Sequence, residues 1–197
     1  MAAGAVTVRV AEREDVPSLV TLWQQLRDEG MRRRNGAPES PESAAGRFEL
    51  VLASESSRVV VAIFEDEPIG MAQISRTPPT LLSENSSLEL TAMHVSPGHR
   101  RRGAGKALVT YAVTYAEEIG VENVVVSVFP QHRDANRFFA RLGFAPLVTR
   151  RTAPVAALRR RLGTPEGRAA LLRREIHVPR AAITRHRRRA AVPLRRD

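Results

Sequence analysis

The chain has 197 residues, 43% of them hydrophobic, and a net charge of +10, which suits one domain with its own core plus an appendage. It has no cysteine, which excludes disulfides, thiol chemistry and thiolate metal sites, and its five histidines lack paired ligand spacing, so no metal is expected. No apolar run reaches the roughly 20 residues that span a bilayer, and residues 1–10 lack the basic and long apolar regions of a secretory leader, which points to the cytoplasm.

Residues 6–10 alternate and predict a first strand. Asp15 can cap a helix with Pro17 in its first turn. Val16, Leu19, Val20, Trp23 and Leu26 recur at helical spacing, so a helix is expected over 15–30. Residues 31–40 read as a polar loop with Arg32, Arg33 and Arg34. Ser40-Pro41-Glu42 opens a second helix through Phe48, Val51 and Leu52. Two apolar runs around the acidic turn 65–68 predict a hairpin over 58–76. A loop at 77–86 leads to a strand at 87–95. A helix at 104–119, a buried strand at 123–128, a short helix at 133–142 closed by Gly143 and a strand at 145–152 follow. This order implies an α/β (α+β) fold, a mixed sheet with helices on both faces. The domain is drawn as 1–152 and an Arg-rich extension as 153–197. Two helices, 154–162 and 165–175, are expected there, with a flexible basic end beyond Pro179. Residues 150–197 hold 15 arginines against 3 acids, +12, leaving −2 for the rest.

The most informative stretch is 88–106, LELTAMHVSPGHRRRGAGK. A strand-like run ends at Val95, a basic glycine turn follows, and Ala107, Leu108, Tyr111, Ala112 and Tyr115 mark a helix. Such a turn aims backbone N–H groups and the positive end of a helix dipole at one point, which suits phosphate. It is not the nucleoside-triphosphate loop, because Ala104 rather than Lys follows the second glycine of Gly98-x-x-x-x-Gly103. It is not the dinucleotide fingerprint either, because Leu108 takes the third glycine position.

What remains, Arg100-x-x-Gly103-x-Gly105, resembles the R/Q-x-x-G-x-G/A signature of the GNAT superfamily of N-acetyltransferases. Val95-Ser96-Pro97 resembles the family's strand ending. Phe138-Phe139-Ala140-Arg141-Leu142-Gly143-Phe144 resembles its F-Y-x-x-x-G-F helix ending. The likeness covers about 5–152 and is strongest over 88–144. It implies a sheet of six to seven strands, with 174–179 as the source of the seventh.

The resemblance further implies acetyl-CoA as co-substrate and direct attack on its thioester by a primary amine. The diphosphate would sit on the N–H groups of Arg101, Arg102, Gly103, Ala104, Gly105 and Lys106, with charge from Arg100, Arg101 and Lys106. The fourth and fifth strands would splay after a bulge. Pantetheine would pair with the backbone of Met93, His94 and Val95, the Val95 N–H polarising the thioester carbonyl. Glu89 is the first candidate base and His94 the second. Two departures stand out. Phe139 occupies the family's usual general-acid tyrosine position, and His132 stands where an asparagine is common, with Asn136 a nearby amide that could bind pantetheine instead. Tyr111 and Tyr115 read as packing residues.

Two other readings stay open: a CoA-binding regulator without turnover, and a nucleic-acid or ribosome-associated module using the basic tail. The tail lacks Phe, Tyr and Trp, which argues against base stacking. An anionic membrane surface, an acidic partner or packing across a homodimer would also suit it. The acceptor is an unidentified amine.

Overall fold

The computed structural model describes residues 4–30, 40–79 and 85–163. The chain divides into two compact units, Met1–Phe144 and Ala145–Asp197. In the first, five strands follow one another across the sheet in chain order: β1 (Thr7–Val10), β2 (Ser57–Phe64), β3 (Glu67–Thr77), β4 (Ser87–Val95) and β5 (Asn123–Val126). All neighbours are antiparallel except β4 and β5, which are parallel. A parallel pair needs a crossover, and α3 (Ala104–Glu118) supplies it. The remaining helices are α1 (Val16–Gly30), α2 (Pro41–Leu52), α4 (Arg133–Arg141) and, in the second unit, α5 (Val155–Arg161).

Alternation along the strands divides the core. Val60, Ala62, Ile74, Leu88 and Leu90 face α3 and meet Leu108, Ala112 and Ala116. Val59, Val61 and Met71 face the other way and meet Leu19, Leu22 and Leu26 of α1. Val16, Val20 and Ala44 join α1 to α2. Asp15 anchors the start of α1: it accepts the Glu12 N–H at 2.7 Å and is held by Arg9 at 2.6 and 2.9 Å. Ser40 caps α2 through the Ser43 N–H, with Pro41 at its first position. The hairpin turns on Glu65 and Asp66, both at positive φ, the two-residue geometry that matches strand twist.

The structure corrects the expected sheet. Residues 145–152 form no strand, so the described sheet has five strands rather than six to seven. The apolar pattern there is short and broken by Arg150 and Arg151, and Leu147 and Val148 are exposed. β5 also ends at Val126, two residues early. The expected loop at 31–40 (but for Ser40), the helix at 165–175 and the candidate strand at 174–179 lie outside the described residues. No helix among the described residues is long and apolar enough to cross a membrane.

Candidate active site

The site begins where two strands part. β4 pairs with β5 only from Ser87↔Asn123 to Leu90↔Val126, closed by a 3.2 Å bond from the Ser127 N–H to the Leu90 carbonyl. From Thr91 onward the β4 edge has no strand beside it among the described residues. On its other side β4 stays on β3, but Met71 pairs with His94 and Gln73 with Thr91, so Ala92 and Met93 together oppose Ala72. This is a β-bulge, and Ala92 sits at φ 48°. Beyond it, the Ser96 N–H donates to the Ile69 carbonyl at 2.8 Å, in register with Gly70↔Val95. Hydrogen-bonded and non-bonded pairs alternate in such a ladder. Val95 therefore turns its N–H and C=O away from β3, to the edge that β5 has left. Gly70 makes the close approach possible, since a Cβ there would stand 2.9 Å from the His94 carbonyl oxygen.

The strand runs straight into the glycine turn. Arg101 (φ 63°) and Gly103 (φ 93°) are left-handed, and the first bond of α3 is Ala107 N–H to Gly103 O, 2.9 Å. The N–H groups of Arg101 through Lys106 have no acceptor among the described residues. Six unmet donors at the positive end of a 15-residue helix form an anion cradle. A Cβ at Gly103 would meet nothing within 4 Å, whereas one at Gly105 would meet Phe138 Cζ at 3.4 Å and Met93 Cε at 3.5 Å. The bulge, the helix start and α4 thus converge on Gly105. Lys106 and Arg102 also line a hollow of about 450 Å³ between β1 and α3, with Val6, Val8 and Thr110.

The three arginines point to different surroundings. Arg100 turns from the cradle: Nε donates to the Val95 carbonyl at 3.1 Å, and Nη2 lies 2.5 and 2.6 Å from the two carboxylate oxygens of Glu29 at the end of α1. The guanidinium of Arg102 lies 5.1 Å from the ring centre of Phe64. Arg101 is exposed. Asn136 Nδ2 donates to the carbonyls of Phe129 (3.0 Å) and His132 (2.8 Å), so its N–H groups shape its own turn and only Oδ1 remains to bind. Tyr111 and Tyr115 hold Arg58, one by its hydroxyl at 3.2 Å, the other by its ring at 4.1 Å.

Glu89 and His94 both lie on the α1 face of the sheet. Glu89 sits one residue before the ladder's last rung and accepts from Ser127 Oγ at 2.9 Å and Thr77 Oγ1 at 3.4 Å. His94 is 4% exposed, with Nε2 3.1 Å from Gln25 Oε1 and Nδ1 3.9 Å from Glu29. Burial pushes its pKa down to about 4; Glu29 pulls it up, Arg100 and His132 push it further down. Phe139 is buried between Phe138 and Phe144, ring centres 5.0 and 5.4 Å away. Sequence reasoning missed Gln25 and Glu29. The signal was available, since the two are four residues apart and share the polar end of one helix face.

Known proteins resemble this chain in sequence or in fold. Streptothricin acetyltransferase of Streptomyces lavendulae is 31% identical over 90 residues, 45% of each chain, so the match spans less than half of that relative. A transcriptional regulator from Bacillus halodurans C-125 superposes with a TM-score of 0.64 at 26% identity, over 76% of this chain and 99% of that one. An aminoglycoside N-acetyltransferase in complex with CoA gives 0.64 at 17% identity, over 77% and 95%. A ribosomal-protein-alanine N-acetyltransferase from Brucella melitensis gives 0.63 at 17%, over 76% and 99%. These last two speak for the fold alone. The model of the acetyltransferase (GNAT) family matches residues 22–144, which takes in the latter part of α1, the opened strand, the cradle and α4, and the chain belongs to that family.

Proposed function

We propose that the protein transfers the acetyl group of acetyl-CoA to a primary amine by direct attack. The observation that carries this reading is the continuity of the opened β4 edge with the cradle of unmet amides at 101–106. An extended thioester ligand with a diphosphate at one end needs both, in that order. The complex of a structural neighbour with CoA supports the same reading.

In this reading the chain's groups divide the work. The amides of 101–106, with Arg101 and Lys106 beside them, hold the diphosphate. The backbone of 93–95 pairs with the pantetheine arm as a strand would. The Val95 N–H donates to the thioester oxygen and stabilises the negative charge that grows there during attack. The amine lone pair forms the new C–N bond, the C–S bond breaks, and sulfur leaves as the CoA thiolate. Glu89 takes the proton lost by the attacking ammonium, directly or through one water. His94, held neutral with its pKa near 4, is a weak proton acceptor at neutral pH and serves to fix the bulge against Gln25. The Phe139 ring has no proton to give, so the thiolate leaves unassisted or takes a proton from water.

Titration with CoA by isothermal calorimetry tests the reading, with Kd expected in the micromolar range of cofactor sites, on the order of 1 μM–1 mM. Gly105→Val should weaken it roughly tenfold or more, because a branched side chain must displace Phe138 or Met93. No heat with the wild type rejects the site. Binding without thiol release across a broad amine panel leaves a CoA-binding regulator, the reading that buried Phe139 would favour.

A further inference from the structure

The Arg100–Glu29 pair is not explained by the proposed chemistry. On the acetyltransferase reading the first residue of the turn signature should face the coenzyme's diphosphate, yet its guanidinium lies on a carboxylate 71 positions away in sequence and on the Val95 carbonyl. That carbonyl points to the edge where a ligand strand would lie. Arg100 therefore stands across the entrance to the opened edge and spends its charge on Glu29.

We propose that Glu29 competes with the coenzyme's diphosphate for Arg100, so that coenzyme entry draws the guanidinium off both Glu29 and the Val95 carbonyl. This rests on the acetyltransferase reading above. Two observations and one chemical argument support it. Both side chains are well solvated, 44% exposed for Arg100 and 37% for Glu29, so the pair is screened and easily exchanged for a better partner. A diphosphate offers a doubly charged, multidentate acceptor that outbids one carboxylate for a guanidinium. The unmet amides of 101 and 102 adjoin Arg100 in the chain, so the new partner lies within reach of the same side chain. Release also changes the other side of the sheet. Glu29 is left as an uncompensated carboxylate 3.9 Å from His94, on the face that holds Glu89, ready for a cation. The charge that recognises an amine is thus exposed only after coenzyme has entered, and Glu29 links the two sites.

The test is a double-mutant cycle read by CoA titration of the full chain. Arg100→Ala should weaken CoA roughly tenfold, the loss of one charge-assisted contact. Glu29→Gln should tighten CoA about three- to fivefold, because the guanidinium no longer has a rival of equal charge. In the double variant the gain should vanish, with Kd within about twofold of Arg100→Ala. A gain that survives without Arg100 would show only the general benefit of removing an anion, and would overturn the proposal. So would a Glu29→Gln variant that binds CoA no better than wild type, the result expected of a plain structural tether. Should Glu29→Gln fail to fold, Glu29→Asp, which shortens the reach to Arg100, should show the same gain in smaller measure. A wild type with no CoA heat would instead defeat the acetyltransferase reading itself.

Discussion

At the scale of single residues, two groups on one strand have opposite fates. Glu89 is partly exposed and bonded to two hydroxyls, Ser127 and Thr77, which can orient it without quenching its charge. Glu89→Gln keeps those contacts and removes the proposed base, so on that reading it should lower kcat about 10²-fold or more with little change in CoA Kd. An unchanged kcat would return Glu89 to an ordinary sheet-edge carboxylate. On the proposed reading His94 serves structure rather than proton transfer, and pH should reveal its burial. Its folded pKa, about 4, lies below the ordinary 6.5, so between those values the unfolded chain binds the extra proton. Its contribution is therefore complete above pH 6.5 and lost progressively as pH falls toward 4, at most about 3 kcal/mol at roughly 1.4 kcal/mol per unit. Denaturant unfolding at pH 4.5 and 7.5 should show the drop, and His94→Gln should shrink it. The identities of both residues were legible in the sequence, as was the face that Glu89 takes. The burial of His94 was not, because it depends on Gln25 arriving from a helix 69 residues away.

At the scale of elements, the strand and helix patterns read true wherever periodicity ran for several residues. The hairpin, α1, α2 and α3 all stand within a residue or two of their expected bounds. The glycine turn was legible as well, since glycine spacing is a statement about backbone conformation. The register of β4 was not: the family resemblance implies a bulge there, but no residue pattern places it. A bulge is one extra residue, and Ala92 carries no mark that distinguishes it from its neighbours. Alanine at φ 48° pays for a conformation that glycine adopts without penalty. Ala92→Gly should therefore leave stability between unchanged and about 1 kcal/mol higher, with glycine's larger unfolded-state entropy offsetting part of the gain. A loss of more than about 1 kcal/mol in thermal or denaturant unfolding would mean that its methyl group, packed against the core cluster that includes Leu22 and Met71, matters more than its backbone.

At the scale of the whole molecule, every fully buried apolar side chain among the described residues lies between Ala11 and Phe139. The described part of the Arg-rich extension, residues 153–163, contributes none. Truncation after residue 152 should accordingly leave the melting temperature within a few degrees of the full chain, and retain CoA binding. It should also abolish any salt-sensitive retention on nucleic acid, if the +12 charge of 150–197 is what such retention uses. Retention that persists would assign it to the first unit instead. The strand expected at 145–152 failed for a physical reason that composition alone hides. Alternation predicts a strand only when a sheet edge takes it, and nothing in eight residues names the edge.

The unmet donors of the turn bear on how long the protein survives. A row of backbone groups with no partner among the described residues is left to solvent, and an open strand border invites a neighbouring molecule to join it. Anything that binds only the native form shifts the balance by mass action, about 2.7 kcal/mol at a hundredfold excess over Kd. On the proposed reading, a melting curve should climb with added CoA, and shelf life should lengthen with it. The metabolite would then be both reagent and guardian of the fold.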